Sequence, residues 1–453
     1  MTVTAMKTKA EEQLAEHFAR AADALPGAGW VPAARRAAFA AFAKVGLPHR
    51  RIEAWKYTDL RNSLKEAFPP AACATRKFDD AMLRGALGED LHRLACIRLV
   101  LVNGRYVAKM IPAGHEPGAS YHFDSLAAAL GQPGFEWIER HFAAVGSATA
   151  DPVCALNAAF ASDGVVLRVT AGARLALPIH IVSLAEAGAP ISVATRNLIK
   201  VEAGAHATIV ESHIDLGGNS AQAMAVTQIA VAAGGVAHHI KHVGSGAAHL
   251  GRLDVEIGEG AIYRGFQFTA GTGLVRNETD VSFTGPDAKL DVSGAFLGRD
   301  REHIDTTLVV HHSTTGCESR ELFKGVLAGR ARGVFQGKVI VDAIAQKTDG
   351  KQMAQALMLS EDAEFDSKPE LEIYADDVAC GHGSTAAEID PAMLFYLRSR
   401  GIPAPEARAM LIESFIGEAI EKVEDEAIRE ALMSEARRWL SNLPAAATAS
   451  QKR

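Results

Sequence analysis

The sequence predicts a mainly β protein, a β-solenoid core of stacked coils set between α-helical ends. Three observations predict it. Between about residues 160 and 385, short β-rich runs are broken by Gly, Ala and Asp turns, with no helical periodicity among them. Within that span VTAGARLAL, VEAGAHATIV, VAAGGVAHHI and IGEGAIYRG resemble one another. Each enters on a β-branched residue and turns at a glycine (Gly172, Gly204, Gly234, Gly260), at spacings of 26 to 32 residues. Repetition of this kind suits coils that each bury an apolar face against the next. Third, aromatics are only 6% of the chain while glycines number 40, and small residues let backbones stack closely. A sandwich would also give many short strands at even spacing. The recurring turn and the long helix-free span favour the solenoid.

The ends read differently. Over residues 9–65 Leu14, Phe18, Ala21 and Leu25 fall at helical spacing, and Pro26-Gly27 closes the run. Phe39, Phe42 and Val45 mark a second amphipathic stretch, closed by Gly46 and Pro48. RRIEAWKYTDLRNSL, Arg50 to Leu64, is dense in charge and is expected to be a surface segment capping these helices. Ile97 to Val107 is a strand candidate with a hairpin at Asn103-Gly104. Past the solenoid, Asp390-Pro391 pairs an N-cap with Pro at the first helical position, and DPAMLFYLRSRG runs to Gly401. A second helix carries Ile412, Ile416, Ile420 and Val423 on one face, and a third spans Ile428 to Leu440. The expected organisation is therefore an N-terminal helical and mixed region (1–150), a β-helix core (151–388), a C-terminal helical domain (389–443) and an Ala/Ser-rich disordered tail (444–453).

Composition narrows the function. A net charge of −7, a pI of about 6.2 and no Lys/Arg block argue against nucleic-acid binding. No apolar run approaches the roughly 20 residues of a membrane span. The start of the chain lacks the apolar stretch of a signal peptide. Five scattered cysteines without a CxxC pair give no disulfide framework, so a cytoplasmic location is expected.

Most motif candidates fail. GVFQGK has Arg332 and Val339 where a phosphate loop needs Gly and Ser/Thr, and GSGAAH has His249 where a dinucleotide fingerprint needs Gly. There is no G-x-S-x-G elbow and no HExxH. His238 and His242 would lie about 13 Å apart on a strand, too far for one ion. They, His239 and the pair His311-His312 are expected to be solvent-facing strand residues. Glu370 and Glu372 share a strand face, which leaves room for a β-helix polysaccharide lyase or hydrolase. The missing signal peptide and the scarcity of aromatics weigh against that reading. Cys317 is expected to be buried and structural.

DDVACGHGST, Asp376 to Thr385, is different. On a strand Cys380 and His382 share a face about 6.6 Å apart, close enough to converge on one ion. Thiolate and imidazole suit iron, zinc and iron–sulfur chemistry. A structural site usually needs four ligands. Either the stretch is a glycine turn holding a buried cysteine, or a second chain supplies what is missing.

The run from Gln346 to Phe415, with SKPELEIYADDV followed by C-x-H-G, resembles the SufB/SufD family of iron–sulfur cluster assembly proteins. EAWKYTDL, Glu53 to Leu60, and Gly383 after the histidine resemble the SufD branch. The resemblance implies a right-handed parallel β-helix that pairs with SufB. It implies a C-terminal helical domain that docks the SufC ATPase, with ATP bound only by SufC. It implies a nascent Fe–S cluster or iron at the SufB interface, with His382, and secondarily Cys380, as the metal-facing residues. Tyr396, Arg398, Arg400 and Phe415 are the expected SufC-docking residues. The resemblance also implies reduced flavin as an electron source in the complex, and nothing in this sequence locates its site. The chain is then a non-catalytic scaffold subunit, able to form a homodimer when isolated. The alternative within the family is a self-dimerising, SufB-like scaffold working without a separate SufB.

Overall fold

The computed structural model describes residues 7–132, 136–143, 151–271 and 273–443; the tail expected to be disordered lies outside the described residues. The chain winds between two sheets, one of ten strands and one of nine, in about eight coils. From Ile179–Ala185 onward successive strands alternate between the sheets, and each pairs in parallel with the strand one coil on. The register holds coil after coil: Glu211, Lys241, Gln267 and Gly294 sit side by side on four neighbouring strands.

The repeated glycines hold this register. Gly172, Gly204, Gly234 and Gly260 all have φ between +58° and +70°, the left-handed region that glycine enters without steric cost. Their amides form a second ladder. Gly172 donates to Ala203, Gly204 to Ala233, Gly234 to Glu259 and Gly260 to Pro286, at 2.8–3.0 Å. Each turn is thus hydrogen-bonded to the next. Between the sheets the inward side chains form a continuous apolar core that includes Leu253, Val255, Val281, Phe283, Leu308 and Val339.

The two ends of the solenoid differ. At the N-terminal end antiparallel strands close both sheets. Ile97–Val102 joins Ile179–Ala185 in parallel and then turns through Asn103-Gly104 into antiparallel Arg105–Met110. Both turn residues have positive φ, as the expected hairpin requires. Tyr121–Ser125 closes the other sheet against Val165–Val169. Helices Lys9–Ala21, Val31–Val45 and Pro152–Phe160 pack here through Phe18, Phe42 and Phe160. At the C-terminal end Glu364–Ile373 and Ala379–Ala387 are the outermost strands, and no described strand pairs with their outer edges.

Helices Ala404–Ile420 and Glu426–Ser441 cover the outer face of the ten-stranded sheet. Ile412, Ile416, Ile420, Ile428 and Leu432 are buried against Ile240, Phe268 and Leu297. Helix Pro391–Ser399, capped by Asp390, has no buried residue. No helix among the described residues is long and apolar enough to cross a membrane.

Two expectations are corrected. The segment Arg50 to Leu64 is not a surface cap: Trp55 is 2% exposed, Thr58 1% and Leu60 0%. It forms a strap across the nine-stranded sheet. The Arg276 guanidinium lies 4.0 Å from the Trp55 ring centroid and donates to Asp305 (2.6 Å), Glu278 (3.0 Å) and the Ala54 carbonyl (2.9 Å). The Trp55 indole donates to Asp151 (3.2 Å), Thr58 donates to Asp305, and Lys368 pairs with Glu53. The strap therefore contacts strands Leu274–Phe283, His303–His312 and Glu364–Ile373. The charges Arg50, Arg51, Glu53 and Lys56 are exposed as expected; it is Trp55, Thr58 and Leu60 between them that are buried.

The histidines expected in solvent are also buried: His238 is 9% exposed, His239 1%, His242 2% and His312 0%; only His311 is half-buried. The reason is that both faces of these strands are covered. His239 points inward, 3.2 Å from Glu211 and 2.9 Å from the Tyr263 hydroxyl. His238 points outward and meets Glu424, between the C-terminal helices, at 3.6 Å.

Replacing Trp55 with Ala should destabilise the fold by about 3–5 kcal/mol, the usual result of emptying a buried aromatic site. Denaturant unfolding of wild type and Trp55→Ala checks this; a loss under about 1 kcal/mol would show that the strap is loosely held.

Candidate functional site at the open end of the solenoid

Cys380 and His382 lie on Ala379–Ala387, the last strand of the ten-stranded sheet. Strict register gives each a row of neighbours reaching back two coils. Cys380 is level with Gly350 and Ser319, and His382 with Gln352 and Glu321. Ser319, Glu321, Gly350 and Gln352 are buried, while their neighbours Arg320 and Lys351 are not. Both rows therefore face the interior, and the motif residues are their outer members.

In the first row Cys380 is half-buried against the core, and burial pushes its thiol pKa up. A Cβ on Gly350 would lie 3.3 Å from the Ser319 hydroxyl and 3.6 Å from the Cys380 sulfur, so this glycine leaves the two side chains room. His312, across the interior, reaches the Ser319 hydroxyl at 3.1 Å. Burial lowers its pKa to about 4, so it is neutral at pH 7.

In the second row His382 is exposed, and both partners behind it are buried. Neither amide atom of Gln352 has a hydrogen-bond partner, and the Glu321 carboxylate has only the Ser319 hydroxyl nearby, short of a full hydrogen bond. The Gln352 amide projects toward Gly337 of the opposite sheet, where a Cβ would come within 2.3 Å of its nitrogen. Burial pushes the Glu321 pKa up to about 8. Beside the motif opens a groove of about 390 Å³ whose lining includes Arg320, Lys351, Met353, His382 and Lys422.

Among the described residues no three His, Cys, Asp or Glu side chains are placed together to hold a metal ion. The Cys380–His382 pair is thus an incomplete ligand set at an unpaired sheet edge, where another chain could complete it. Other sequence candidates take structural roles. Glu370 and Glu372 pair with Lys368 (3.1 Å) and Lys338 (2.6 Å), which neutralises the acid pair that a polysaccharide enzyme would need. Cys317 is fully buried, as expected, with its thiol near the Gly285 carbonyl at 3.5 Å. GVFQGK lies within strand Arg332–Val341 and forms no loop.

Residues 183–415 match the family model for the SUF system FeS cluster assembly SufBD core domain, and residues 8–181 match that for the SufBD protein N-terminal region. The chain belongs to the SufBD family. It is 30% identical over 396 residues to iron–sulfur cluster assembly protein SufD of Escherichia coli, covering 86% of this chain and 89% of that one. It is 28% identical over 402 residues to an iron–sulfur cluster assembly SufBD family protein of Synechocystis, covering 83% and 84%. SufD of Bacillus subtilis is 33% identical over 144 residues, about a third of each chain. By similarity this SufBD chain is SufD-like, consistent with a non-catalytic assembly subunit.

The residues expected to dock SufC fall in two places. Tyr396, Arg398 and Arg400 are exposed on the projecting helix Pro391–Ser399 and the turn after it, with the Arg400 guanidinium 4.4 Å from the Tyr396 ring centroid. Phe415 instead faces the solenoid, half-buried, with the Lys324 ammonium 4.4 Å from its ring centroid. Sequence reasoning missed Phe395, 73% exposed, and Met393, 54% exposed, beside Tyr396. The available signal was a nine-residue helix with large apolar residues all round. Reasoning also missed Glu321 and Gln352, although their spacing from His382, one and two coil periods, was open to inspection.

Glu321 generates a pH prediction. Its folded pKa lies above the ordinary value near 4.5, so between about pH 5 and 8 the native state keeps a proton that the unfolded chain has lost. Its contribution to stability therefore falls as pH rises through that window. Glu321→Gln removes the term, so the variant should gain on wild type from pH 5 to 8 in chemical unfolding. A constant difference between the two would contradict this assignment.

Proposed function

We propose that this chain is the SufD-like scaffold subunit of an ATP-driven iron–sulfur assembly complex. One observation carries the reading: the C-x-H motif sits on the last strand of a solenoid whose C-terminal edges are unpaired. Two edges of ten and nine residues, unpaired among the described residues, are a template for another chain's strands. A SufB-like partner pairing there would bring its own ligands against His382 and Cys380. Nascent cluster or iron is then the cargo held between the two chains, with His382 as ligand or cluster-proximal group.

The remaining parts follow from the architecture. The projecting helix Pro391–Ser399 offers Phe395, Tyr396, Arg398 and Arg400 to a SufC-like ATPase, which binds the ATP. This chain performs no bond-making step. ATP-driven movement of docked ATPase subunits pulls on the C-terminal helices, which are packed on the same sheet that carries the motif, and the interface shifts. Reduced flavin supplies electrons to the complex from outside this chain. In the absence of a SufB-like chain, the same open edges pair two copies into a homodimer. Such a complex works in the cytoplasm.

The test is to co-express the chain with SufB-like and SufC-like partners, purify anaerobically, and measure iron and acid-labile sulfide. His382→Ala should assemble a complex of unchanged size with several-fold less of both; unchanged content would reduce the motif to a structural turn. Independently, Phe395→Asp together with Tyr396→Asp should abolish co-purification of the ATPase while leaving the SufB-like partner bound. Retention of the ATPase would place its docking site elsewhere.

A further inference from the structure

Glu321 and Gln352 stand out from the other polar groups inside the solenoid. Glu211 shows what a structural interior carboxylate looks like in this chain. It is 1% exposed and is met by the Thr227 hydroxyl (2.9 Å), His239 (3.2 Å) and His213 (3.4 Å). Glu321 is 3% exposed with only the Ser319 hydroxyl close enough to act on its carboxylate, short of a full hydrogen bond to either oxygen, and Gln352, also 3% exposed, has no partner for its amide. Folded proteins leave few buried polar atoms unpaired, and each one calls for a physical reason, a bound ion or water among them.

Position and chemistry specify the ligand. Glu321, Gln352 and His382 occupy one level on three neighbouring strands. Parallel strands lie about 4.8 Å apart, so an ion over Gln352 is one strand step from both the carboxylate and the imidazole. The row ends at the exposed His382, and no described coil closes it. Ser319, Phe323 and Ala354 are the buried neighbours on the same face, and Gly337 faces Gln352; the nearby cations Arg320 and Lys351 sit on the alternate strand positions, along the groove that Glu321 and Gln352 also line. Two oxygen donors and an imidazole suit a divalent iron- or manganese-type ion, with water filling the remaining positions.

We propose that Glu321 and Gln352 form an inner divalent-cation site behind His382, with Glu321 releasing its proton to solvent as the ion binds and becoming the anionic ligand, and Gln352 the carbonyl donor. The site is an inner stop for the metal cargo, one and two coils inside the partner-facing edge. The inference deepens the reading of His382 as a metal-facing residue and rests on it.

Manganese(II) is the probe, because its EPR signal distinguishes free from bound ion. The purified full-length chain is titrated with it anaerobically. Wild type should bind one ion, Glu321→Gln should weaken binding about tenfold or more, and Gln352→Leu should weaken it in the same direction. Arg168→Ala, altering an exposed side chain on the other sheet, should bind as wild type does. Circular dichroism confirms that each variant is folded; if Glu321→Gln is not, Gln352→Leu decides. The inference is overturned if wild type binds no manganese at one equivalent, or if the decisive variant binds it as wild type does. Should Glu321→Gln bind normally while His382→Ala loses cluster in the complex, the inner site falls and the assembly role stands. Should Glu321→Gln lose manganese while His382→Ala keeps its cluster, the inner site stands and the role of His382 falls.

Discussion

Each coil hands the next a full hydrogen-bonding edge in unchanged register, and this constraint organises the rest of the molecule. A residue chosen on one strand fixes its neighbours about 30 positions away along the chain, level with it on either side. Side chains therefore form columns. Apolar columns make the core, and the polar column of Glu321, Gln352 and His382 runs from the interior to the edge. The left-handed turn glycines protect the register, because each turn amide is bonded to the next turn. A slip of one residue would invert every column between inside and outside.

The same constraint makes the ends unequal. A parallel stack can always accept another coil, so it must be stopped. Antiparallel strands stop it at the N-terminal end, and nothing among the described residues stops it at the other. Exposed edges of this length are an aggregation hazard unless a partner occupies them. The open edge also carries the cysteine and the histidine of the C-x-H motif. The projecting helix next to it, apolar yet unburied, has the same character.

The solenoid was legible because its signals are local: a glycine where the turn needs positive φ, a β-branched entry, and a repeating spacing. The C-terminal helices were legible from their caps and from the isoleucine stripe at 412, 416 and 420. Burial of the histidines was not. His238 and His242 look like ordinary outward strand residues, and only helices more than 150 residues later cover them. Trp55 and Thr58 were misread for the same reason: the groups that enclose them belong to distant coils. At the candidate site the C-x-H pair was visible, since it is contiguous. Its inner row was not, since Glu321 and Gln352 become its neighbours only once the coil period is counted.

The strap has a consequence for synthesis. Glu53 meets Lys368 at a sequence separation of 315, and Thr58 meets Asp305 at one of 247. As the polypeptide leaves the ribosome, coils can add one at a time, each on the last. The strap cannot be fully locked until the final coil has emerged. Contacts of such long sequence separation close late and slowly, so the N-terminal helices must wait, docked at one end, while their leader to the other end hangs free. The strap is in this sense a completion mark: it reaches its last partner only on a chain whose final coil has already been built.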